Sequence, residues 1–196
     1  MVWLVVVFLA GCAGQQTAPD DPAGEPVIEP GIYETQTGER LEQDELFEVL
    51  AEQRFVVVGE KHDDPWHHEV QARIWQAVSE RAPAALGMEM FQRPFQEPLD
   101  AYVTGQIDED QMIEQTEYDD RWGAPLQYYR PLWQQARDEE LPIIALNAPR
   151  ELSREISEVG LDGLTKEERA DVPDLDLSNE THRDYVRRAF EQHDME

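Results

Sequence analysis

Apolar residues along the chain fall either in short continuous runs or in stretches where they recur every three or four positions. Phe55-Val56-Val57-Val58-Gly59 is a continuous β-branched run, the pattern of a strand buried on both faces. Ala84-Ala85-Leu86-Gly87-Met88-Glu89 and Leu141–Asn147 predict a second and a third strand. Helical period fills the intervals. Leu46, Phe47, Val49 and Leu50 give a short helix within 41–53. Asp64 followed by Pro65 is a helix start, with the aspartate as cap and proline at the first helical position. Val70, Ile74, Ala77 and Val78 carry that helix towards Arg81, and Pro83 stops it. Further helices are predicted over Phe95–Val103, Glu109–Glu117, Leu126–Glu139, 150–159 and Asn179–Gln192, with Tyr129, Leu132, Trp133 and Ala136 as the apolar stripe of the third of these. The span from Val58 to Met88 suits one βαβ crossover. Strands alternating with helices predict an α/β domain over 41–196, a parallel β-sheet core with flanking helices.

The first forty residues follow neither period. Val2 to Ala10 is an apolar run, shorter than the roughly 20 residues that a membrane-spanning helix needs. Leu9-Ala10-Gly11-Cys12 resembles a lipobox, in which small residues precede a cysteine that becomes lipid-modified, so 1–12 reads as a lipoprotein signal segment. Cys12 is the only cysteine, which excludes a disulfide within the chain. Over 13–40, Gly14, Pro19, Pro22, Gly24, Pro26, Pro30 and Gly31 interrupt any regular element, and the stretch reads as a flexible tether. Ala13, rather than an aspartate, follows the cysteine. The resemblance to bacterial lipoproteins then implies a lipid anchor in the outer membrane, with the domain facing the periplasm.

Charge narrows the partners. Lys plus Arg is 16 against 43 for Asp plus Glu, a net charge of −27. A groove that neutralises phosphates is not available at that charge, so nucleic acid is excluded as a partner. Lys61 and Lys166 are the only lysines. An acidic, lysine-poor surface suits concentrated salt, where self-repulsion is screened within about 3 Å at 1 M; the simpler account is a GC-rich genome that favours arginine codons.

Ligands of open α/β sheets bind beyond the carboxyl ends of the strands. The first predicted strand runs into Glu60, Lys61, His62, Asp63 and Asp64; the second ends in Glu89; the third ends in Asn147, with Arg150 following. Parallel, adjacent strands would bring Glu60, His62, Glu89, Asn147 and Arg150 to one rim. His62 is the first candidate there, as a site residue or as a capping side chain. His67 and His68 fall in the first helical turn, where the helix dipole favours a neutral ring that can ligate a metal or accept a hydrogen bond. Glu60 and Glu89 read either as site carboxylates or as buried braces that accept backbone N–H groups. Tyr128 and Tyr129 read either as core aromatics or as a phenolate able to ligate ferric iron. The acidic run Asp108–Asp120 reads as a solvated helical face.

Four stretches in order carry a family resemblance: FVVVGEKHDDPWHH (55–68), GMEMFQRPFQEPLDAYVTG (87–105), WGAPLQYYRPLWQQAR (122–137) and LPIIALNAPRELSREI (141–156). Together they resemble the ChaN-like haem-binding uptake lipoproteins of the Tiki/TraB/erythromycin-esterase superfamily. The resemblance implies a haem-binding lipoprotein of iron uptake, a homodimer around haem, and a tyrosine on iron with a histidine nearby. Tyr129 is the candidate ligand, with Tyr128 its rival. His62 and His67 are candidates for the distal partner, and Arg93, Arg130 and Arg150 for the haem propionates. The family carries a later Gly-x-Gly-His strand that this sequence does not, so the domain is expected to lack the family's C-terminal part. The alternative drawn from the same superfamily is a hydrolase using a divalent metal, with Gly59-Glu60-Lys61-His62 as its Gly-x-x-His motif and Glu89 as ligand or base.

Overall fold

A computed structural model of the chain describes residues 31–193 other than 175 and 177. Cys12, the apolar opening and residues 13–30 of the expected tether lie outside the described residues. Residues at the end of the tether are already regular. Strands β1 (Ile32–Tyr33) and β2 (Arg40–Leu41) pair antiparallel, joined by a turn in which Gly38 takes φ +73°, a left-handed conformation open to glycine at no steric cost.

The described chain falls into two compact units, one ending at Ala148 and one beginning at Pro149. In the first, α1 (Gln43–Ala51) is opened by a reciprocal capping box between Glu42 and Glu45. Helix α2 (Pro65–Ser79) starts as expected: the Asp64 carboxylate accepts from the backbone N–H of Trp66 at 2.9 Å, and Pro65 occupies the first turn. Strand β3 (Leu86–Gln92) leads through one 3-10 turn into α3 (Gln96–Val103), then α4 (Glu109–Gln115), α5 (Tyr118–Arg121), α6 (Leu126–Asp138) and β4 (Ile143–Asn147). Helix α2 packs on both α1 and α6, and α3 packs on β4.

Strands β3 and β4 are parallel, in the register Leu86↔Ile143, Gly87↔Ile144 and Met88↔Ala145. After Met88 the ladder breaks and resumes at Gln92↔Asn147, so β3 carries a bulge over Glu89, Met90 and Phe91. One face of this sheet is core: Met88, Met90, Ile143 and Ala145 are buried among Leu99, Tyr102, Tyr118, Tyr129 and Trp133. On the other face Glu89, Ile144 and Leu146 are exposed, as the period of two requires. The free edge of β4 is closed by a side chain. The Gln96 amide donates to the carbonyl of Ile143 at 2.7 Å and accepts from the N–H of Ala145 at 2.9 Å, standing in for a neighbouring strand.

The first predicted strand is corrected. Residues 55–59 carry no ladder to β3 or β4, so the parallel sheet has two strands among the described residues, not three. Nor is the segment buried on both faces. Phe55 and Val57 are 67% and 66% exposed, while Val56 and Val58 pack against Leu46, Leu50 and Ile74 of α1 and α2. The apolar run thus has the alternating burial of one covered face and one open face.

The second unit holds α7 (Arg150–Val159), a 3-10 turn, α8 (Lys166–Ala170) capped by Thr165 and Glu168, and α9 (Glu180–His193). Tyr185 and Phe190 of α9 are exposed. Among the described residues no helix is long and apolar enough to cross a membrane.

Candidate functional site

Glu60 follows the apolar segment 55–59 and its side chain is only 7% exposed. Such burial is costly for a carboxylate unless donors surround it. The Tyr129 hydroxyl donates to Oε1 at 2.5 Å, and His62 Nδ1 lies 2.7 Å from the same oxygen. His68 Nδ1 is 3.1 Å from Oε2, without the alignment of a hydrogen bond. Two hydrogen bonds, from the loop and from α6, therefore converge on one oxygen of the buried acid, while His68 of α2 stands beside the other.

His68 is the buried member of the histidine trio. Its Nε2 faces the His62 carbonyl at 3.2 Å and its Nδ1 faces the Gln71 amide oxygen at 3.3 Å. Tyr128 stacks on its ring, centroids 4.5 Å apart and planes within 5°, while Tyr129 meets it edge-on at 4.9 Å. The Trp122 ring meets His62 edge-on at 5.0 Å and Tyr129 at 6.4 Å. The result is an aromatic and imidazole cluster around Glu60, with His62 58% exposed at its mouth.

His67 lies beside the cluster with a different task. Its Nδ1 accepts from the backbone N–H of Lys61 at 2.8 Å, which fixes the turn between residues 55–59 and α2. That acceptor role requires an unprotonated Nδ1.

The two adjacent tyrosines differ sharply. Tyr129 is fully buried. Burial, followed by its hydrogen bond to Glu60, pushes its phenol well above the usual tyrosine range. Tyr128 is half-buried. Helical spacing accounts for the difference: Tyr129 lies on the stripe of Leu132, Trp133 and Ala136, all buried, and Tyr128 falls about 100° away from it.

The other expected site residues lie on several elements. Glu89 was expected at a strand end beside Glu60. The strand instead runs on to Gln92, and the pleat turns Glu89 outward, where it is exposed. Glu60 and His62 are in contact at 2.7 Å, while Glu89 is turned outward on the sheet. Among the described residues no group of three or more His, Cys, Asp or Glu side chains is placed to hold a metal ion. Asn147 closes β4 opposite Gln92, a buried residue whose amide oxygen accepts from Arg121 at 2.9 Å. Arg130 is held by Glu109, at 2.7 and 2.8 Å. Arg93 lies in the 3-10 turn after β3, and Arg150 opens α7 in the second unit.

Glu109 was read as part of a solvated acidic face. It is a hub instead: besides Arg130 it accepts from Trp133 Nε1 at 3.0 Å and from the Gln134 amide at 3.2 Å. Burial would raise its pKa, but these donors outweigh that and hold the carboxyl below its ordinary value. The contacts of Trp122 and the stacking of Tyr128 on His68 carried no local sequence signal, because both join separate elements.

Two shallow clefts lie elsewhere in the first unit. One, of about 320 Å³, runs between α1 and α2 beside Phe47, Arg73 and Arg81; the other, of about 420 Å³, lies beside Tyr102, Glu109 and Arg137. Neither is lined by Glu60, His62, Tyr128 or Tyr129.

A family model described as haem-binding uptake, Tiki superfamily, ChaN, matches residues 46–196. Among solved structures the chain is similar to a Campylobacter jejuni protein described as cofacial heme binding to ChaN, with a TM-score of 0.55 and 19% identity. The likeness covers 68% of this chain and 52% of that one, so this chain spans about half the length of the relative. At that identity the likeness is one of fold. None of the curated proteins matches the chain significantly.

Proposed function

The chain belongs to the haem-binding uptake family ChaN of the Tiki superfamily, and from that premise we propose that it is a lipid-anchored protein of haem and iron uptake that binds haem over the Glu60 cluster. The observation that carries the reading is the meeting, on one surface, of the half-buried Tyr128 ring and the exposed His62 imidazole around the buried His68. A phenol oxygen, an imidazole and flat aromatic rings are a donor set that fits ferric haem. Bound haem would supply an iron for a phenol oxygen of the Tyr128–Tyr129 pair. The chain's own part is to orient that oxygen through the His68 stack and to offer His62 beside it. Exposed Trp66, under the Arg73 guanidinium at 5.6 Å, adds apolar surface near the start of α2.

His62 is exposed at the mouth of the cluster, so a second surface is needed to cover a porphyrin there. A second copy of the chain is the partner we propose, as a homodimer around haem. Cys12 is the proposed site of the lipid anchor, in the outer membrane and facing the periplasm.

Haem titration of the full chain tests the reading. The expected result is a saturable Soret shift with a tyrosinate-type visible band, both lost in the double variant Tyr128→Phe, Tyr129→Phe. An unchanged spectrum in the double variant removes the tyrosine pair from the site, and no Soret response in the wild type removes haem. Mass analysis of the envelope-bound protein, with Cys12→Ser as control, tests the anchor.

A further inference from the structure

Tyr128 and Tyr129 are neighbours on one helix, and the residue that separates their roles lies on another element. We propose that Glu60 selects the iron ligand: by holding the Tyr129 hydroxyl in the core, it leaves Tyr128 as the member of the pair presented to haem. This rests on the haem reading above and assigns within it what the family match leaves open.

The argument begins with helix geometry. Residues one apart on a helix point about 100° apart, so the two rings reach His68 differently, Tyr128 face-on and Tyr129 edge-on. Tyr129 shares the buried stripe of α6, and a buried phenol needs a hydrogen-bond partner. Glu60 supplies it from 69 positions away in sequence. An O–H···O⁻ contact at 2.5 Å is at the short end for a charge-assisted bond. Glu60 is itself fixed, since His62 Nδ1 shares Oε1 at 2.7 Å and His68 Nδ1 stands at Oε2.

Moving the Tyr129 oxygen to a ligand would strip a buried carboxylate of a donor and draw the ring from beside Trp122 and His68, two costs with no compensation in the protein. Tyr128 faces neither cost. Its ring is held flat against His68, which sets its orientation, and its hydroxyl takes no partner among the described residues. Glu60 is thus a positioning residue: it acts on the site through Tyr129.

Two readouts on the full chain test this. In the haem-free protein, nitration by tetranitromethane mapped by mass spectrometry is expected to modify Tyr128 and spare Tyr129. In Glu60→Ala, Tyr129 nitration is expected to rise about tenfold, the factor of one lost charge-assisted hydrogen bond. Glu60→Gln keeps an oxygen that can accept from Tyr129, and Tyr129 is expected to stay protected. Nitration of Tyr129 in the wild type, or its full protection in a folded Glu60→Ala chain, overturns the proposal.

In the haem-loaded protein, Tyr128→Phe is expected to lose the tyrosinate band and Tyr129→Phe to keep it. Adding Glu60→Ala to Tyr128→Phe is expected to restore the band through Tyr129, a gain that no structural weakening would produce. The reverse result for the two single variants overturns the proposal even if Glu60→Ala fails to fold. A wild type without any Soret response defeats the haem reading instead, and the nitration pattern still decides which tyrosine Glu60 withholds.

Discussion

The Tyr129 hydroxyl donates to the Glu60 carboxylate at 2.5 Å, joining α6 to the loop that follows residues 55–59. This bond ties a buried acid to the core and fixes the loop that carries His62. It also gives the adjacent tyrosines different fates.

Removing the hydroxyl leaves Glu60 with one donor fewer. Tyr129→Phe is expected to lower stability by about 1–3 kcal/mol, the range for an unmatched buried polar group. Urea unfolding of the two chains checks this. A change below a few tenths would mean that solvent reaches Glu60 in the folded state.

Glu109 makes the fold sensitive to acid. Its pKa is lowered in the folded chain, so the stability it contributes is present above its ordinary value of 4.5 and is lost as pH falls through the depressed folded value. At neutral pH, Glu109→Gln is expected to be less stable than wild type by about 1–3 kcal/mol. The gap should close as pH falls through the depressed folded value. Thermal melts of both chains from pH 7 to pH 3 measure it, and a gap that stays constant would remove Glu109 as the source.

Gln96 is the cap on β4. Gln96→Ala strands the Ile143 carbonyl and the Ala145 N–H at a partly buried edge, at an expected cost of about 1–3 kcal/mol. The specific signature is faster hydrogen exchange at the Ala145 amide. Unchanged protection there would show that another group covers the edge.

The two faces of the β3–β4 sheet should respond in opposite ways. Ile143→Ala opens a cavity in the core and is expected to cost about 2–5 kcal/mol. Leu146→Ser, on the face where Leu146 is 53% exposed, is expected to stay within about 0.5 kcal/mol. A large loss at Leu146 would mean that this face is covered in solution, and a concentration dependence of that loss would point to a second copy.

The negative charge gives a further expectation. At −27 the compact state repels itself, and salt that shortens the Debye length to about 3 Å at 1 M should raise the melting temperature. A flat salt series would show that the acids are too dispersed for repulsion to matter.

Local chemistry was enough to read much of the fold from the sequence. Asp64 and Pro65 predicted the start of α2, and the stripe of Tyr129, Leu132, Trp133 and Ala136 predicted the buried side of α6, because caps and helical period act over a few residues. The family resemblance, carried by four short motifs in order, agrees with the match over 46–196. That same stripe placed Tyr129 among core residues, yet the tyrosine pair could not be resolved, since the acceptor for Tyr129 lies on a distant loop.

What only the tertiary structure decided are relationships across elements. Residues 55–59 have the composition of a buried strand but alternate between cover and exposure, because burial depends on which surfaces reach a segment. A bulge carries β3 on to Gln92 and leaves Glu89 facing outward, a shift set by the pairing of β3 with β4. Glu60, His62, His68 and Tyr129 meet although the loop, α2 and α6 each specify their own residues independently. Sequence sets what each element is and which side it hides; the packing of one element on another sets which polar groups become partners, because a buried donor or acceptor must find whatever the neighbouring element presents.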